Sequence, residues 1–251
     1  MIEVEIKNLS KSFSDMIVLD NISMNIKEQE NVVVFGRSGS GKSVLLKCIV
    51  KLMEPDSGEI LIEGLNVKEL SMKKLNELRK YIGFLFQSAA LYDSMSVREN
   101  LEFPLIRNFS FTAAEREKKI KNVLEKVSLE DSIDKMPAEL SGGMKKRIGL
   151  ARTIITEPRL ILYDEPTTGL DPITSKEISQ LIVELQKDLH TTSIIVTHDL
   201  ICAMIIATHA VVLKDGKIRY EGNLEKLTSN DDPFLKDFFS NDIIDVKNGR
   251  I

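Results

Sequence analysis

The sequence predicts an α/β fold built on a mainly parallel sheet. Short apolar runs, each long enough for one buried strand, alternate with stretches whose apolar residues recur at helical spacing. One such run, residues 32–35, breaks into a glycine-rich turn that leads into a helical stretch. Several polar residues stand just after these runs, where open α/β sheets bind ligands. The pattern therefore predicts a ligand site at one edge of the sheet.

The composition is that of a folded chain without a general nucleic-acid surface. It has 251 residues, of which 43% are hydrophobic, and a formal net charge of -4. A nucleic-acid surface normally appears as an excess of basic residues. We therefore expect no nucleic-acid partner.

Cysteine usage and apolar stretches indicate a reducing compartment and no membrane span. Cys48 and Cys202 stand in apolar surroundings without metal-ligand spacing, so we expect two free buried thiols. The longest apolar stretch, residues 200–213, is shorter than a bilayer requires, and residues 1–13 lack a signal-peptide core. We expect a chain that is soluble by itself.

The first part of the chain predicts two half-exposed strands. Residues 2–7 alternate apolar and charged side chains, and residues 22–26 repeat this pattern more weakly. Phe13 lies between them in a polar turn, where it either packs on the small sheet or offers a flat face to a base. Its position alone leaves both interpretations open.

The turn after residues 32–35 has the sequence of a phosphate-binding loop. Residues 36–43 read GRSGSGKS and match G-x-x-x-x-G-K-[ST] between a strand and a helix. The glycines allow backbone N–H groups to converge on a polyphosphate. We expect Lys42 to reach the β- and γ-phosphates and the Ser43 hydroxyl to bind Mg²⁺. The alternative is a glycine turn that binds nothing, which would match by chance in about one such chain in a hundred.

The remaining elements alternate as the fold class requires. The expected later strands are 59–64, 81–86, 159–163 and 192–196. The expected later helices are a short one within 67–80, then 113–127, 145–156 and a stretch through 178–185. Residues 88–108 show a mixed pattern, and we assign no element to them.

Polar residues follow four of the predicted strands and should meet at one sheet edge. They are Lys42, Gln87, Asp164, Glu165 and His198. Residues 88–156 contain only helical patterns and predict an inserted lobe, and the last ten or so residues predict a loose tail.

These motifs, in their order, resemble the nucleotide-binding subunit of ATP-binding-cassette (ABC) transporters. GRSGSGKS, Gln87, LSGGM, LILYDE, TGLD and His198 carry the resemblance over essentially the whole chain. It implies a P-loop NTPase (RecA-like) core with a mainly parallel sheet, an N-terminal antiparallel β subdomain and an inserted all-helical signature subdomain. An ABC ATPase domain would then span 1–240, with 1–87 and 157–240 as the core, 88–156 as the helical subdomain and 241–251 as a C-terminal tail.

The resemblance also implies a role for each motif residue. Asp164 would hold Mg²⁺ through water, together with Ser43 and Gln87, and Glu165 would be the catalytic base. Gln87 would contact Mg²⁺ and the attacking water, His198 the γ-phosphate, and Lys42 the transferred phosphates. The implied ATP-contacting residues are Phe13, Gly36, Arg37, Ser38, Gly39, Ser40, Gly41, Lys42, Ser43, Val44, Ser141, Gly142, Gly143 and Asp171.

A second anion site follows from the LSGG motif. Ser141, Gly142 and Gly143 open a helix, and a helix N-terminus attracts anions. In the family these residues bind the γ-phosphate of ATP held by the other subunit, and Asp171 links the halves. The resemblance therefore implies a homodimer with ATP at its interface, and it favours adenine stacking for Phe13.

Several longer stretches are similar to ATPases of the Mla/Mce type, which power phospholipid transport between membranes. They are SGSGKSVLLK, FQSAALYDSMSVRENLEFPL and LSGGMKKR. Departures from the common family pattern are Met144 for Gln, Val44 for Thr and Lys51 for Gly. The similarity implies membrane permease subunits as partners, with an MCE-domain lipid-binding protein and a small STAS-like accessory protein as further candidates. It implies a peripheral location on the cytoplasmic face of the inner membrane.

Residues 88–108 lie where the family's permease inserts a short coupling helix. Exposed Tyr92, Met95 and Phe103 could line that groove, and core packing is an equal alternative for Phe103. Three other functions stay open: a transporter ATPase for another substrate, a soluble ABC ATPase acting on nucleic acid or ribosomes, and a phosphate-loop kinase. The second usually carries two cassettes or long coiled coils, and the third leaves LSGGM unexplained.

Overall fold

The computed structural model describes residues 2–239, which contain two sheets and the helices that pack on them. The first elements are β1 (Val4–Phe13), β2 (Met16–Ile26), β3 (Asn31–Phe35), α1 (Lys42–Ile49), β4 (Ser57–Ile62), β5 (Leu65–Asn66), α2 (Met72–Arg79) and β6 (Ile82–Leu85). Three helices follow: α3 (Val97–Asn108), α4 (Ala113–Lys126) and α5 (Gly142–Ile154). The last elements are β7 (Leu160–Asp164), α6 (Pro172–Leu189), β8 (Thr192–Thr197), α7 (Leu200–Ile206), β9 (His209–Lys214), β10 (Lys217–Gly222) and α8 (Leu224–Thr228), and residues 233–239 are also helical.

The two sheets have the architecture that the sequence predicts. The larger sheet has the order β10-β9-β3-β8-β7-β6, in which β9, β3, β8, β7 and β6 pair in parallel and β10 is antiparallel to β9. The smaller sheet, with the order β2-β1-β4-β5, is antiparallel throughout. The prediction of an α/β fold with a mainly parallel sheet and an N-terminal antiparallel sheet is confirmed.

The larger sheet separates two hydrophobic cores. Successive side chains of a strand point to opposite faces, so Val33 and Phe35 join one core, whereas Val32 and Val34 join the other. The first core contains α3 to α7, and the second contains the antiparallel sheet and α1. This layering explains the continuous apolar runs, because a strand covered on both faces has no polar side.

Several local predictions differ from the structure. α3 occupies the segment whose pattern is mixed, and the elements without a predicted counterpart are β5, α7, β9, β10 and α8. Phe13 ends β1 rather than lying in a turn, and α5 begins at Gly142, three residues before the predicted start, because Ser141 caps it. Between β6 and β7, a segment that is described throughout, the regular elements are all helical. The subdomain boundaries stay a prediction, and residues 241–251 lie outside the described part.

Both cysteines are free and buried, as predicted. Burial disfavours the thiolate and raises the pKa of Cys48 to about 11 and that of Cys202 to about 12. Among residues 2–239, no helix combines the length and the apolarity that crossing a bilayer would require.

Candidate active site

A cleft of about 560 Å³ opens at the carboxyl ends of β3, β7 and β8. Its lining includes most of the residues predicted to follow these strands. The lining residues are Gly36, Arg37, Ser38, Gly39, Lys42, Ser43, Gln87, Glu165, His198, Asp237 and Phe238. Parallel strands bring their carboxyl ends to one edge, so residues that lie as far apart in the sequence as Gly36 and His198 meet here.

The phosphate-binding loop has the backbone that its glycines permit. Gly39 and Gly41 have φ angles of 81° and 96°, a region that other residues rarely adopt. A Cβ on Gly41 would lie 2.8 Å from the Val18 carbonyl oxygen. The backbone angle therefore disfavours a side chain at both positions, and at Gly41 the surrounding space is closed as well. Such a curl allows backbone N–H groups to converge on an anion.

Lys42 is buried within this loop. Its Nζ donates hydrogen bonds to the carbonyl oxygens of Gly36, at 2.7 Å, and Arg37, at 3.3 Å. It also lies 3.4 Å from Oε1 of Glu165. The ammonium group of Lys42 is thus held against the main chain of the phosphate-binding loop and next to the Glu165 carboxylate.

Glu165 has an unusual backbone and a crowded carboxylate. Its φ of 50° is left-handed, and its N–H donates to the Val196 carbonyl oxygen at 2.9 Å. Oε2 lies 2.8 Å from Nδ1 of His198 and accepts a hydrogen bond from the Thr168 hydroxyl at 3.2 Å. An ionised carboxylate only accepts hydrogen bonds, so this geometry places a proton on Nδ1 of His198.

Ser43 and Asp164 form a pair next to the loop. The Ser43 hydroxyl donates to Oδ1 of Asp164 at 2.7 Å. Within residues 2–239, no cluster of three or more His, Cys, Asp or Glu side chains could hold a metal ion. One hydroxyl, one carboxylate and the amide of Gln87 nevertheless suit Mg²⁺, which keeps several waters and takes its other ligands from substrate phosphates.

The LSGG turn lies apart from this cleft. Ser141 caps α5 by accepting a hydrogen bond from the Met144 N–H at 3.3 Å, and none of Ser141, Gly142 and Gly143 lines the cleft. A Cβ on Gly143 would lie 2.8 Å from Cγ2 of Thr174, so the turn packs against the start of α6. Within one chain, the LSGG turn therefore does not contribute to the cleft that the phosphate-binding loop lines.

Asp171 caps α6 beside the LSGG turn. It accepts hydrogen bonds from the N–H groups of Ile173 and Thr174 and from the Thr174 hydroxyl, the last at 2.6 Å. These bonds, above all that from the Thr174 hydroxyl, lower the pKa of Asp171. Like the turn, Asp171 does not line the cleft.

Phe13 and part of the loop also lie outside the lining. Phe13 is 42% exposed, and Nζ of Lys11 lies 5.6 Å from the centre of its ring. An exposed ring is free to stack, which favours the base-stacking interpretation over packing on the small sheet. Ser40, Gly41 and Val44 belong to the loop and to α1 without lining the cleft.

Sequence reasoning missed four residues around the site. Lys146 donates hydrogen bonds to the carbonyl oxygens of Gln87 and Glu165, and Thr168 binds the Glu165 carboxylate. A lysine on the otherwise apolar face of α5 was the available signal for Lys146. Asp237 and Phe238 reach the cleft from residues 233–239, and no motif marks them.

The fold and the site together define a P-loop nucleotide-hydrolysing cassette. The model of the family described as "ABC transporter" matches residues 19–168, and the chain belongs to this family. It is an ABC ATPase that binds ATP, so the predicted family, P-loop NTPase fold and ATPase activity are confirmed.

Relatives in both sequence and structure agree with this assignment. The chain is 39% identical to the intermembrane phospholipid transport system ATP-binding protein MlaF of Haemophilus influenzae, over 91% of this chain and 87% of that protein. It is 36% identical to the probable ribonucleotide transport ATP-binding protein mkl of Mycobacterium leprae, over 95% of this chain and 69% of that protein. An ATP-binding cassette solved as a dimer in a post-hydrolysis state with ADP and Pi has a TM-score of 0.80 and 35% identity, and the match covers 88% of this chain and 98% of that one.

Proposed function

We propose that this ATPase works as a homodimer that hydrolyses Mg²⁺-bound ATP to drive a membrane permease in phospholipid transport between membranes. The observation that carries the dimer is the separation of the phosphate loop from the LSGG turn within one chain. A single triphosphate can contact both only if a second copy supplies the turn. Two solved structures of one relative, a bacterial ABC transporter cassette, are described as dimeric, and one of them is in a post-hydrolysis state.

Binding of the triphosphate is assigned to the loop and its neighbours. The N–H groups of residues 36–43 and the ammonium of Lys42 would bind the phosphates, and Phe13 would stack on the adenine. Ser43, Asp164 and Gln87 would hold Mg²⁺. When bound, the ion would neutralise charge that develops on the phosphates.

Hydrolysis is assigned to Glu165. Its Oε2, held by His198 and Thr168, would accept a proton from the attacking water while Lys42 compensates the carboxylate charge. His198 keeps Nδ1 on the carboxylate, which leaves Nε2 to face the γ-phosphate. Ser141, Gly142 and Gly143 of the second copy would cover the same phosphate, with Asp171 at the junction.

A groove of about 450 Å³ beside α3 is the proposed permease contact. Phe84, Phe86, Tyr92 and Phe103 supply apolar surface, and the rings of Tyr92 and Phe103 lie 5.2 Å apart. Phe103 is 40% exposed and belongs to this surface rather than to the core. Met95 does not line the groove. A short amphipathic helix of the permease fits an apolar groove of this kind.

The phospholipid cargo follows from the MlaF relatives, and we place the chain on the cytoplasmic face of the inner membrane beside an MCE-domain protein and a STAS-like protein. A ribonucleotide is the second candidate cargo, because the mkl relative is named for it. Reconstitution of the chain with its permease in vesicles would distinguish the two cargoes. ATP-dependent transfer of labelled phospholipid supports the first, and uptake of labelled ribonucleotide without lipid transfer supports the second.

Substitution of Ser141 tests the dimer directly. In a Glu165→Gln background with ATP, light scattering should detect a dimer, and adding Ser141→Arg should leave a monomer whose ATP affinity changes less than about twofold. Ser110→Arg, on an exposed loop, is the matched control. A dimer that persists with Ser141→Arg, or a monomer that loses ATP affinity, would contradict the assignment.

A further inference from the structure

Two cationic side chains of α5 hold the loop that follows β6. Lys146 donates hydrogen bonds to the main-chain carbonyl oxygens of Gln87 and, at 3.2 Å, Glu165. Arg152 donates to the carbonyl oxygens of Ala89 and Ala90 at 2.9 and 2.8 Å. The first of these cations also reaches the catalytic strand end, whereas the second contacts the loop alone.

This loop has a backbone that needs such support. Ala89 and Ala90 have φ angles of 60° and 48°, and left-handed conformations are costly for residues with a Cβ. The carbonyl groups that follow these angles are the acceptors for Arg152. Gln87, at the start of the loop, has its carbonyl held by Lys146.

Lys146 is buried at a cost that packing alone does not explain. Its residue is 5% exposed, and burial lowers the pKa of its ammonium group, an effect that the nearby Glu165 and Asp164 carboxylates oppose. A buried charge is unfavourable unless it is hydrogen-bonded and compensated. A methionine would fill the same space on α5 without that cost, so the cation serves the carbonyl groups that it binds.

The hydrogen bond from Lys146 helps to stabilise the left-handed backbone of Glu165. Its main chain is held on both sides: the N–H donates to the Val196 carbonyl oxygen, and the C=O accepts hydrogen bonds from the Lys146 ammonium group and, at 3.3 Å, from the Thr168 N–H. Its left-handed φ of 50° directs the carboxylate towards Lys42 and His198. Without the ammonium group, the Glu165 carbonyl would lose the charged donor that helps to hold this conformation.

We propose that Lys146 is a positioning residue for ATP hydrolysis. It holds the main chain of Glu165 in the conformation that directs the carboxylate into the cleft, and it binds the carbonyl oxygen of Gln87 with the same ammonium group. This inference rests on the role of Glu165 under the proposed function. Arg152 lines the groove beside α3, and it stands six residues after Lys146 on one helix, a span of about 9 Å. α5 therefore connects the groove mechanically to the catalytic carboxylate.

Four variants of the full-length chain test the proposal. Lys146→Met removes the donor and keeps the packing, and Lys146→Arg keeps a cation. Arg152→Met loosens the loop without touching Glu165, and Lys118→Met makes the same change as the first variant on an exposed face of α4. For each, steady-state ATP turnover, ATP affinity by calorimetry and Tm are measured.

We expect Lys146→Met to lower kcat at least about tenfold while ATP affinity stays within about twofold, because a small displacement of a catalytic group is costly and the loop that binds phosphate is intact. Lys146→Arg should restore most of kcat, and Arg152→Met should lose less than Lys146→Met. Lys118→Met should match the wild type. If Lys146→Met does not fold, the same criteria apply to Lys146→Gln, whose side chain is too short to reach both carbonyl groups.

Three results would overturn the proposal. They are a kcat for Lys146→Met within about twofold of the wild type, an equal loss in Arg152→Met, and a failure of Lys146→Arg to improve on Lys146→Met. Glu165→Gln separates this inference from its premise. An active Glu165→Gln variant would remove the premise, whereas an inactive one beside an active Lys146→Met would refute only the role of Lys146.

Discussion

At the residue scale, the carboxylate of Glu165 is held by three neighbouring side chains. Lys42, His198 and Thr168 contact its side chain, and its main chain is left-handed. Each neighbour restricts the direction of the carboxylate, and a general base must be held within reach of the proton that it accepts.

Glu165→Gln should keep ATP binding and lower turnover by at least about 10²-fold, because an amide cannot accept the proton from water. Phosphate release measures turnover, and calorimetry measures binding. Glu184→Gln, on an exposed face of α6, should behave as the wild type. Near-normal hydrolysis by Glu165→Gln would show that another group is the base.

The buried thiols predict a loss of stability at alkaline pH. Burial raises the pKa of Cys48 to about 11 and that of Cys202 to about 12, from an ordinary thiol value of 9.0. Above pH 9 the unfolded chain ionises these thiols first, so the unfolded state binds fewer protons and the free energy of unfolding falls as pH rises. Below pH 9 this contribution is fully present.

Urea titrations of the wild type and of a Cys48→Ala, Cys202→Ala variant, at pH values from 8 to about 11, measure this effect. The variant should be less stable at neutral pH but should lose less stability on alkalinisation. Equal pH dependence in the two proteins would contradict the burial of the thiols.

Tyr163 offers a further test at this scale. It is fully buried on β7, and its hydroxyl interacts with that of Ser193 without forming a hydrogen bond of ordinary geometry to any described residue. Burial raises the pKa of Tyr163. Tyr163→Phe removes this hydroxyl, so the free energy of unfolding in urea should stay equal or rise by up to about 1 kcal/mol. A fall of more than about 1 kcal/mol would reveal a partner for this hydroxyl.

At the scale of elements, capping residues can indicate where a helix begins even when the spacing of its apolar residues does not. α3 begins with a capping box, in which Ser96 accepts from the Glu99 N–H and Glu99 accepts from the Ser96 N–H. Ser96→Ala should lower the free energy of unfolding by about 1 kcal/mol. Urea denaturation measures this, with Ser110→Ala as the uncapped control. No change in Ser96→Ala would mean that packing alone defines the start of α3.

The same helix shows where prediction from sequence fails and why. Strands β3, β7 and β8 were predictable because both faces are buried and their residues are uniformly apolar. α3 exposes Phe103 and Ile106 and contains Pro104, so apolar residues occur on more than one face and the periodic signal disappears. The spacing of Ser96 and Glu99 was the remaining signal.

The residues of the candidate site also fall into those that the sequence predicts and those that it does not. Lys42 could be predicted because phosphate binding requires a glycine-rich loop and a lysine in a fixed local order. Glu165 could be predicted because it follows a buried strand and matches the motif of the family that the chain resembles. The contacts of Lys146 and Asp237 could not, because each reaches the site through tertiary packing from an element that is distant in sequence, and the lone lysine on the apolar face of α5 does not indicate which groups it binds. The spacing of residues within a motif does not indicate contacts between elements that are distant in sequence.

At the scale of the whole molecule, the proposed dimer and its nucleotide should appear as a gain in stability. A ligand that binds only the folded chain stabilises it by about 2.7 kcal/mol at a concentration one hundred times its Kd. Tm should therefore rise with Mg²⁺ and ATP, and less with ATP and EDTA. In Ser43→Ala the difference between these two conditions should shrink, and an unchanged difference would argue against Ser43 as a Mg²⁺ ligand.

The alternation of residues along β3 has a consequence for how this molecule can vary. Val33 faces the helices, whereas Val34 faces the antiparallel sheet. Adjacent residues of β3 therefore pack in different hydrophobic cores. A substitution at Val33 can be compensated by its neighbours in the first core without any change around Val34. Deleting a single residue from this strand would turn every later side chain of the strand towards the opposite core. Insertions and deletions among homologous sequences should therefore occur in the connecting turns.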